Sequence, residues 1–212
     1  MSENIHKLLE GSKQFQQAYF GTDRALFDTL LAQGQQPKTM IVACSDSRVD
    51  PAVIFNCQPG QLFVVRNIAN LVPPCETNDS HHGTSAALEF GVRFLGVEHI
   101  IVFGHTQCCG ISTLLEHGYD SESTGKSFIM RWMDLAREAY DHVMQEHTKE
   151  SFEKKIAICT QHALKNSLKN LKTFPWIDER LKDGSLELHA WYFDLETGTI
   201  HRYNEMKKDW IF

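Results

Sequence analysis

Two apolar runs that each break off into metal-ligating side chains constrain this chain more than anything else in its 212 residues. The first, Thr39-Met40-Ile41-Val42-Ala43, runs into Cys44-Ser45-Asp46-Ser47-Arg48. The second, His99-Ile100-Ile101-Val102-Phe103-Gly104, runs into His105-Thr106-Gln107-Cys108-Cys109-Gly110. Each reads as a buried strand that carries chemistry at its C-terminal end. Sites in open α/β sheets form at the carboxyl ends of parallel strands, so Cys44, His105 and Cys108 are expected to converge despite their separation in sequence. Two thiolates and one imidazole make a set of three zinc ligands and leave a fourth position open.

The remaining segments build a sheet around these two strands. Asp50-Pro51 is a cap followed by proline at the first helical position, which predicts a short helix through Val53, Ile54 and Phe55. Gln61 to Arg66 is a further strand, ending in the polar pair Arg66-Asn67. A helix is expected from about Gly83 to Gly96, with Ala87, Leu88, Phe90, Gly91, Phe94 and Leu95 inward. Strand, crossover helix, strand is the unit of a parallel sheet. Another helix, Gly110 to His117, begins just after the cysteines, and its amide groups should make Cys108 ionise more readily than a free thiol.

Ser185 to Phe193, the turn Glu196-Thr197-Gly198 and the run Thr199 to Tyr203 predict a hairpin that closes an edge. The fold class is therefore α/β, with a central, mostly parallel sheet flanked by helices, an N-terminal helical arm and an antiparallel edge strand. A single domain is expected, made of the arm (1–34), a zinc-site core (35–117), a helical block (118–184) that packs on the sheet, and C-terminal strands (185–212). In the arm, Ile5, Leu8, Leu9, Phe15 and Tyr19 have near-helical spacing, and Asp23 is placed to cap a second helix that Gly34 ends. The arm packs either across a neighbouring subunit or back on its own domain.

A hydrophobic content of 42% supports a sizeable core. The formal net charge of −6 gives no electrostatic reason to expect nucleic acid or an anionic membrane as partner, so a small substrate fits better. No apolar run reaches the length of a membrane span, and the polar start of the chain does not read as a signal peptide, so a cytoplasmic protein is expected. The six cysteines read as metal ligands and small apolar side chains rather than a disulfide framework. Cys57, Cys75 and Cys159 fall in the apolar group.

Three motifs in order, Cys44-Ser45-Asp46-Ser47-Arg48, Arg66-Asn67-Ile68-Ala69-Asn70 and Gly104-His105-Thr106-Gln107-Cys108, resemble those of the β-class carbonic anhydrases, in the plant-type branch. The resemblance runs from about Gln35 to Ile111, and more loosely from Leu188 to Gly198. It implies one Zn²⁺ per subunit on Cys44, His105 and Cys108, and the reversible hydration of carbon dioxide to bicarbonate and a proton. Asp46 would aim a zinc-bound hydroxide, and Arg48 would clamp Asp46 in a bidentate pair and keep it ionised. An Asp46 that leaves Arg48 would become the fourth ligand and exclude water, the family's closed state.

The resemblance further places Gln35, Phe63 and Ile68 in the substrate pocket, Gln35 and Phe63 across a dimer interface, and it implies a homodimer or a dimer of dimers. Phe90 is a pocket position where many relatives carry tyrosine, and Cys109 stands in place of the usual glycine. A bicarbonate switch found in some bacterial relatives needs a tryptophan and a tyrosine where this chain has Ile41 and Phe193.

Rival readings are hydrolysis of carbon disulfide or carbonyl sulfide on the same scaffold, and a non-catalytic zinc or redox module built on Cys108-Cys109. A nucleotide-binding protein is disfavoured because no G-x-G-x-x-G turn follows the first strand. His81 and His82 read as exposed loop residues. His142 and His147, five apart, miss the spacing of one helical face and read as solvated.

Overall fold

The computed structural model describes residues 2–21, 24–78, 80–119 and 127–211. The chain divides into two compact units, Met1–Gln36 and Pro37–Phe212. The first unit is a helical hairpin of α1 (Glu3–Phe20) and α2 (Ala25–Gln33), and neither helix has a buried residue. Phe15 and Tyr19 of α1 meet Phe27 of α2 edge-on, with ring centroids 5.9 and 5.7 Å apart. The proposed cap Asp23 lies outside the described residues, as does most of the connection expected from Gly118 to Lys126.

The second unit is built on a six-stranded sheet. Its strands are β1 (Thr39–Cys44), β2 (Leu62–Asn67), β3 (His99–His105), β4 (Glu187–Phe193), β5 (Ile200–Asn204) and β6 (Asp209–Ile211), in the order β2-β1-β3-β4-β5-β6. The pairings β2–β1, β1–β3 and β3–β4 are parallel, whereas β4–β5 and β5–β6 are antiparallel. The edge therefore lies one strand beyond the expected hairpin. Three residues, Asp209 to Ile211, pair with β5, which is too short a run for alternation to reveal.

Met40, Val42, Ile100 and Val102 point into one core with Leu164, Leu168 and Leu171, while Ile41, Ala43, Ile101 and Phe103 fill the opposite face. Burial of each larger side chain contributes about 1.5–3 kcal/mol. An apolar run satisfied on both faces can only be a central strand, and β1 and β3 are adjacent at the middle of the sheet.

Among the described residues the helices of this unit are α3 (Pro51–Ile54), α4 (Gly83–Glu89), α5 (Cys109–His117), α6 (Phe128–Met133) and α7 (Arg137–Glu146). They are followed by α8 (Phe152–Leu171) and α9 (Pro175–Lys182). Asp50 caps α3 as expected, accepting from the amides of Ala52 and Val53 at 3.0 and 3.4 Å.

The inward face expected for Gly83 to Gly96 needs correction. After Glu89 the helix opens into a π turn, Phe90–Phe94, closed by the Leu95 amide donating to the Phe90 carbonyl at 3.0 Å. Such a turn holds one residue more than an α turn and rotates the side chains beyond it. Val92 is buried instead, while Phe90 and Phe94 are 43% and 72% exposed.

The helix α8 lies close on the sheet because β3 has glycine at position 104. A Cβ there would stand 2.9 Å from Leu164 Cδ1 and 3.2 Å from its Cγ, and Leu164 is fully buried. Gly104→Ala should therefore destabilise the fold by about 1–3 kcal/mol through overpacking. Thermal denaturation checks this, and an unchanged melting temperature would show that the contact relaxes freely.

Candidate metal centre

Parallel pairing brings the ends of β1 and β3 side by side. Cys44 is the last residue of β1, His105 the last of β3, and Cys108 the residue that precedes α5. The connection between His105 and Cys108 turns sharply at Gln107, which has φ +55°. One sulfur, one ring nitrogen and one sulfur from these residues all lie within 4.8 Å of one another. His105 and Cys108 are fully buried, and Cys44 nearly so.

The donor atoms are arranged as a soft divalent cation requires. The sulfurs of Cys44 and Cys108 are 3.9 Å apart. Tetrahedral zinc, with Zn–S bonds of about 2.3 Å, sets two sulfurs about 3.8 Å apart. His105 Nδ1 lies 2.7 Å from the Thr106 carbonyl oxygen, which can only accept. Nδ1 therefore carries the proton and Nε2 a bare lone pair, the tautomer a ligand needs. Nε2 is buried without a hydrogen-bond partner. Asp46 Oδ2, 3.9 Å away, is another acceptor rather than a donor. A buried lone pair facing a carboxylate and two sulfurs is costly unless a cation joins them.

Without metal, the two thiols share a proton unequally. A hydrogen bond from Cys108, outweighing burial, pulls the Cys44 thiol down to about 4. That same bond, then burial, then the charge on Cys44 push Cys108 up. The expectation that Cys108 ionises more readily than a free thiol considers the amides at the start of α5 alone and leaves out Cys44, whose sulfur lies 3.9 Å away. The amides of Gly110 and Ile111 do favour its thiolate, but these three larger effects outweigh them. The exposed neighbour Cys109 starts α5, and all six cysteines are free thiols.

Asp46 is held in the fork of Arg48. Arg48 donates from Nε to Oδ1 at 3.0 Å, from Nη2 to Oδ2 at 2.8 Å, and from its backbone amide to Oδ1 at 2.9 Å. The side-chain bonds from Arg48 are the main reason the Asp46 carboxyl is drawn down to about 2. Arg48 is itself positioned by the Gln107 carbonyl, which accepts from Nη2 at 3.1 Å. Nothing in the pattern His-Thr-Gln-Cys marks Gln107 for that task.

Arg66 staples the same loop from below. It donates to the carbonyls of Cys44 and Asp46 at 3.0 and 2.6 Å, and to the Asp50 carboxylate at 3.0 Å. Asp50 therefore serves both a helix cap and an ion pair, and only the first use is visible in the sequence.

Of the four pocket residues suggested by the resemblance, three belong to the sheet-bearing unit and one to the N-terminal unit. Ile68 lines an apolar cleft of about 540 Å³ with Ser45, Phe128, Ile129 and Trp132. Phe63 pairs with Met40, four residues before Cys44, so it lies about 13 Å down the strand. Its ring is 6.0 Å from that of Phe90. Gln35 is exposed and belongs to the N-terminal unit.

A larger polar cavity of about 650 Å³ lies away from this centre, lined by residues of α7 and α8 that include Glu138, His142, Glu146 and His162. His142 and His147 do meet, with ring centroids 5.1 Å apart, contrary to the expectation from their spacing. The helix ends at Glu146, and His147 lies in the turn beyond it.

His162 packs against His142 with ring centroids 4.5 Å apart, and burial first, then Lys165 and His142, hold it below its ordinary value of 6.5. An unfolded chain protonates this ring below 6.5 while the folded one resists, so its contribution to stability is full above that pH and lost as pH falls. Urea melts of His162→Gln should show a weaker loss of stability between about pH 6.5 and 5 than wild type; parallel pH profiles would exclude this coupling.

The fold and centre together define an α/β protein with a buried Cys-His-Cys donor set at the carboxyl ends of parallel strands. Comparison with known proteins then narrows the class. A family model described as "Carbonic anhydrase" matches residues 39–200. Beta carbonic anhydrase 5, chloroplastic, of Arabidopsis thaliana is 39% identical over 173 residues, which cover 82% of this chain and 56% of that protein. Carbonic anhydrase of Synechocystis sp. is 32% identical over 207 residues, 98% of this chain and 74% of that one.

Among solved structures, the β-carbonic anhydrase CcaA aligns with a TM-score of 0.89 at 32% identity and covers 99% of both chains. A tetrameric β-carbonic anhydrase of Sordaria macrospora aligns at 0.83 with 28% identity, covering 95% of this chain and 97% of that one. The chain belongs to the β-carbonic anhydrase family. It spans little more than half the length of two of its Arabidopsis relatives, 56% and 59%.

Proposed function

We propose that this chain catalyses the reversible hydration of carbon dioxide to bicarbonate with a zinc ion held by Cys44, His105 and Cys108. The observation that carries the reading is the buried, partnerless Nε2 of His105 facing two sulfurs at tetrahedral spacing. Zinc there would act as a Lewis acid, lowering the pKa of a coordinated water toward about 7.

The chain's own residues would supply the rest. Asp46, kept ionised by Arg48, would accept a hydrogen bond from the attacking water and fix its orientation. Arg66 would keep the Cys44–Arg48 loop in place. Carbon dioxide is small and apolar, which suits a hydrocarbon pocket with few polar groups. Ile68 lines the apolar cleft, and Phe63, Phe90 and Gln35 are further pocket residues, with Gln35 and Phe63 contributed across a dimer interface. A homodimer or dimer of dimers is in keeping with the tetrameric Sordaria macrospora relative. Among the described residues no helix is long and apolar enough to cross a membrane.

Metal content and carbon dioxide hydration, measured together from about pH 6.5 to 9, test the proposal. One zinc per chain that survives dialysis against a chelator and a rate that rises above neutral pH are expected, because two thiolates leave the ion less acidifying than three imidazoles would. A folded sample that contains no zinc and refuses it when offered would overturn the reading.

A further inference from the structure

We infer that His99, Glu187 and His189 form a second divalent-cation site, suited to an ion of the zinc class, at the N-terminal ends of β3 and β4. His99 opens β3 and Glu187 opens β4, and the two are direct partners in the parallel register. His189 lies two residues beyond Glu187, on the same face of the strand. The site is at the opposite end of β3 from His105, about 20 Å away along the strand.

The three donor atoms form a nearly regular triangle. His189 Nε2 and His99 Nδ1 are 3.3 Å apart. Glu187 Oε2 is 3.7 Å from His99 Nδ1 and 3.7 Å from His189 Nε2. A tetrahedral zinc with bonds of about 2.0–2.1 Å to nitrogen and oxygen sets its ligand atoms about 3.3–3.4 Å apart. The triangle is thus one face of such a tetrahedron, met with shifts of a few tenths of an ångström.

Rigid elements hold it. The Glu187 amide donates to the Glu98 carbonyl at 2.9 Å, and the His99 amide to the Lys38 carbonyl at 3.1 Å, so both strand starts are tied down. The His99, Glu187 and His189 side chains are 41%, 66% and 31% exposed, which leaves the remaining corner of the ion to water. One carboxylate with two imidazoles is a borderline donor set that suits zinc, nickel or copper rather than magnesium or calcium. The other histidine cluster, His142, Glu146 and His147, hangs on a helix end and the turn after it, not on paired strands.

Equilibrium dialysis of the zinc-loaded protein against free Zn²⁺, with metal counted by mass spectrometry, tests the site in wild type, His189→Ala, Glu187→Gln and His142→Ala. Wild type and His142→Ala should each hold one more ion per chain than His189→Ala and Glu187→Gln. Because a difference between variants is read, the result does not depend on occupancy of the Cys44 centre. All three side chains are partly exposed, and circular dichroism verifies that each variant folds. Long-range nitrogen NMR should show Nδ1 of His99 and Nε2 of His189 shifting together as the ion binds. Equal counts in wild type, His189→Ala and Glu187→Gln would overturn the site, as would an excess lost in His142→Ala but kept in His189→Ala. The pair would then be a plain hydrogen bond between two rings.

Discussion

Cys44→Ser should give a folded chain that loses the chelator-resistant zinc and whose carbon dioxide hydration falls by at least about 10³-fold, roughly 4 kcal/mol in the barrier. The serine hydroxyl is nearly the size of the thiol, so the end of β1 survives, with its neighbours paired to β2 and β3. Its oxygen, however, stays protonated at neutral pH and is a harder, weaker donor than thiolate. It also removes the thiolate that Cys108 and His105 are arranged to face. Metal analysis after dialysis against a chelator, beside a hydration assay, reads both halves of the result. A variant that retains zinc and activity would take Cys44 out of the centre.

Arg48→Ala should behave differently, keeping its zinc while kcat drops about 100-fold. The substitution removes the two side-chain bonds to Asp46 and leaves only the backbone amide at 2.9 Å. Asp46 Oδ2 is already 3.9 Å from His105 Nε2, so a carboxylate released from Arg48 has a short way to go before it can ligate the ion and displace water. Arg48→Lys should recover only part of the rate, because an ammonium cannot reproduce the two-pronged bond. Full activity in Arg48→Ala, measured with zinc content unchanged, would refute the clamp. Together the two variants separate loss of the ion from loss of a working orientation.

Legibility in the sequence divides along physical lines. Cys44, His105 and Cys108 were legible because each comes after an apolar run, and parallel strand ends are where distant residues meet. Asp50-Pro51 was legible as a helix start because capping is a local interaction, and the structure shows the bonds. The features that escaped depend on contacts between distant segments or on small changes of backbone. The π turn at Phe90 turned two phenylalanines outward that an ideal helix would bury. The end of α7 at Glu146 brought together two histidines that a continuous helix would separate. The shared proton of Cys44 and Cys108 reflects the 3.9 Å between their sulfurs, and neither helix position nor spacing predicts that. Gln107 and Asp50 acquire their roles through Arg48 and Arg66, whose reach across the loop no single motif announces.

The centre also has a bearing on how the chain would live through metal scarcity. Cys44 and His105 are mounted on strand ends whose neighbours are already paired, and Arg66 donates to the carbonyls of Cys44 and of Asp46 beyond it. Ordering these groups is therefore done by the sheet and not by the ion, unlike a small zinc-dependent module that collapses when stripped. A molecule robbed of its cation should keep its architecture and regain function on resupply, with no need to fold afresh.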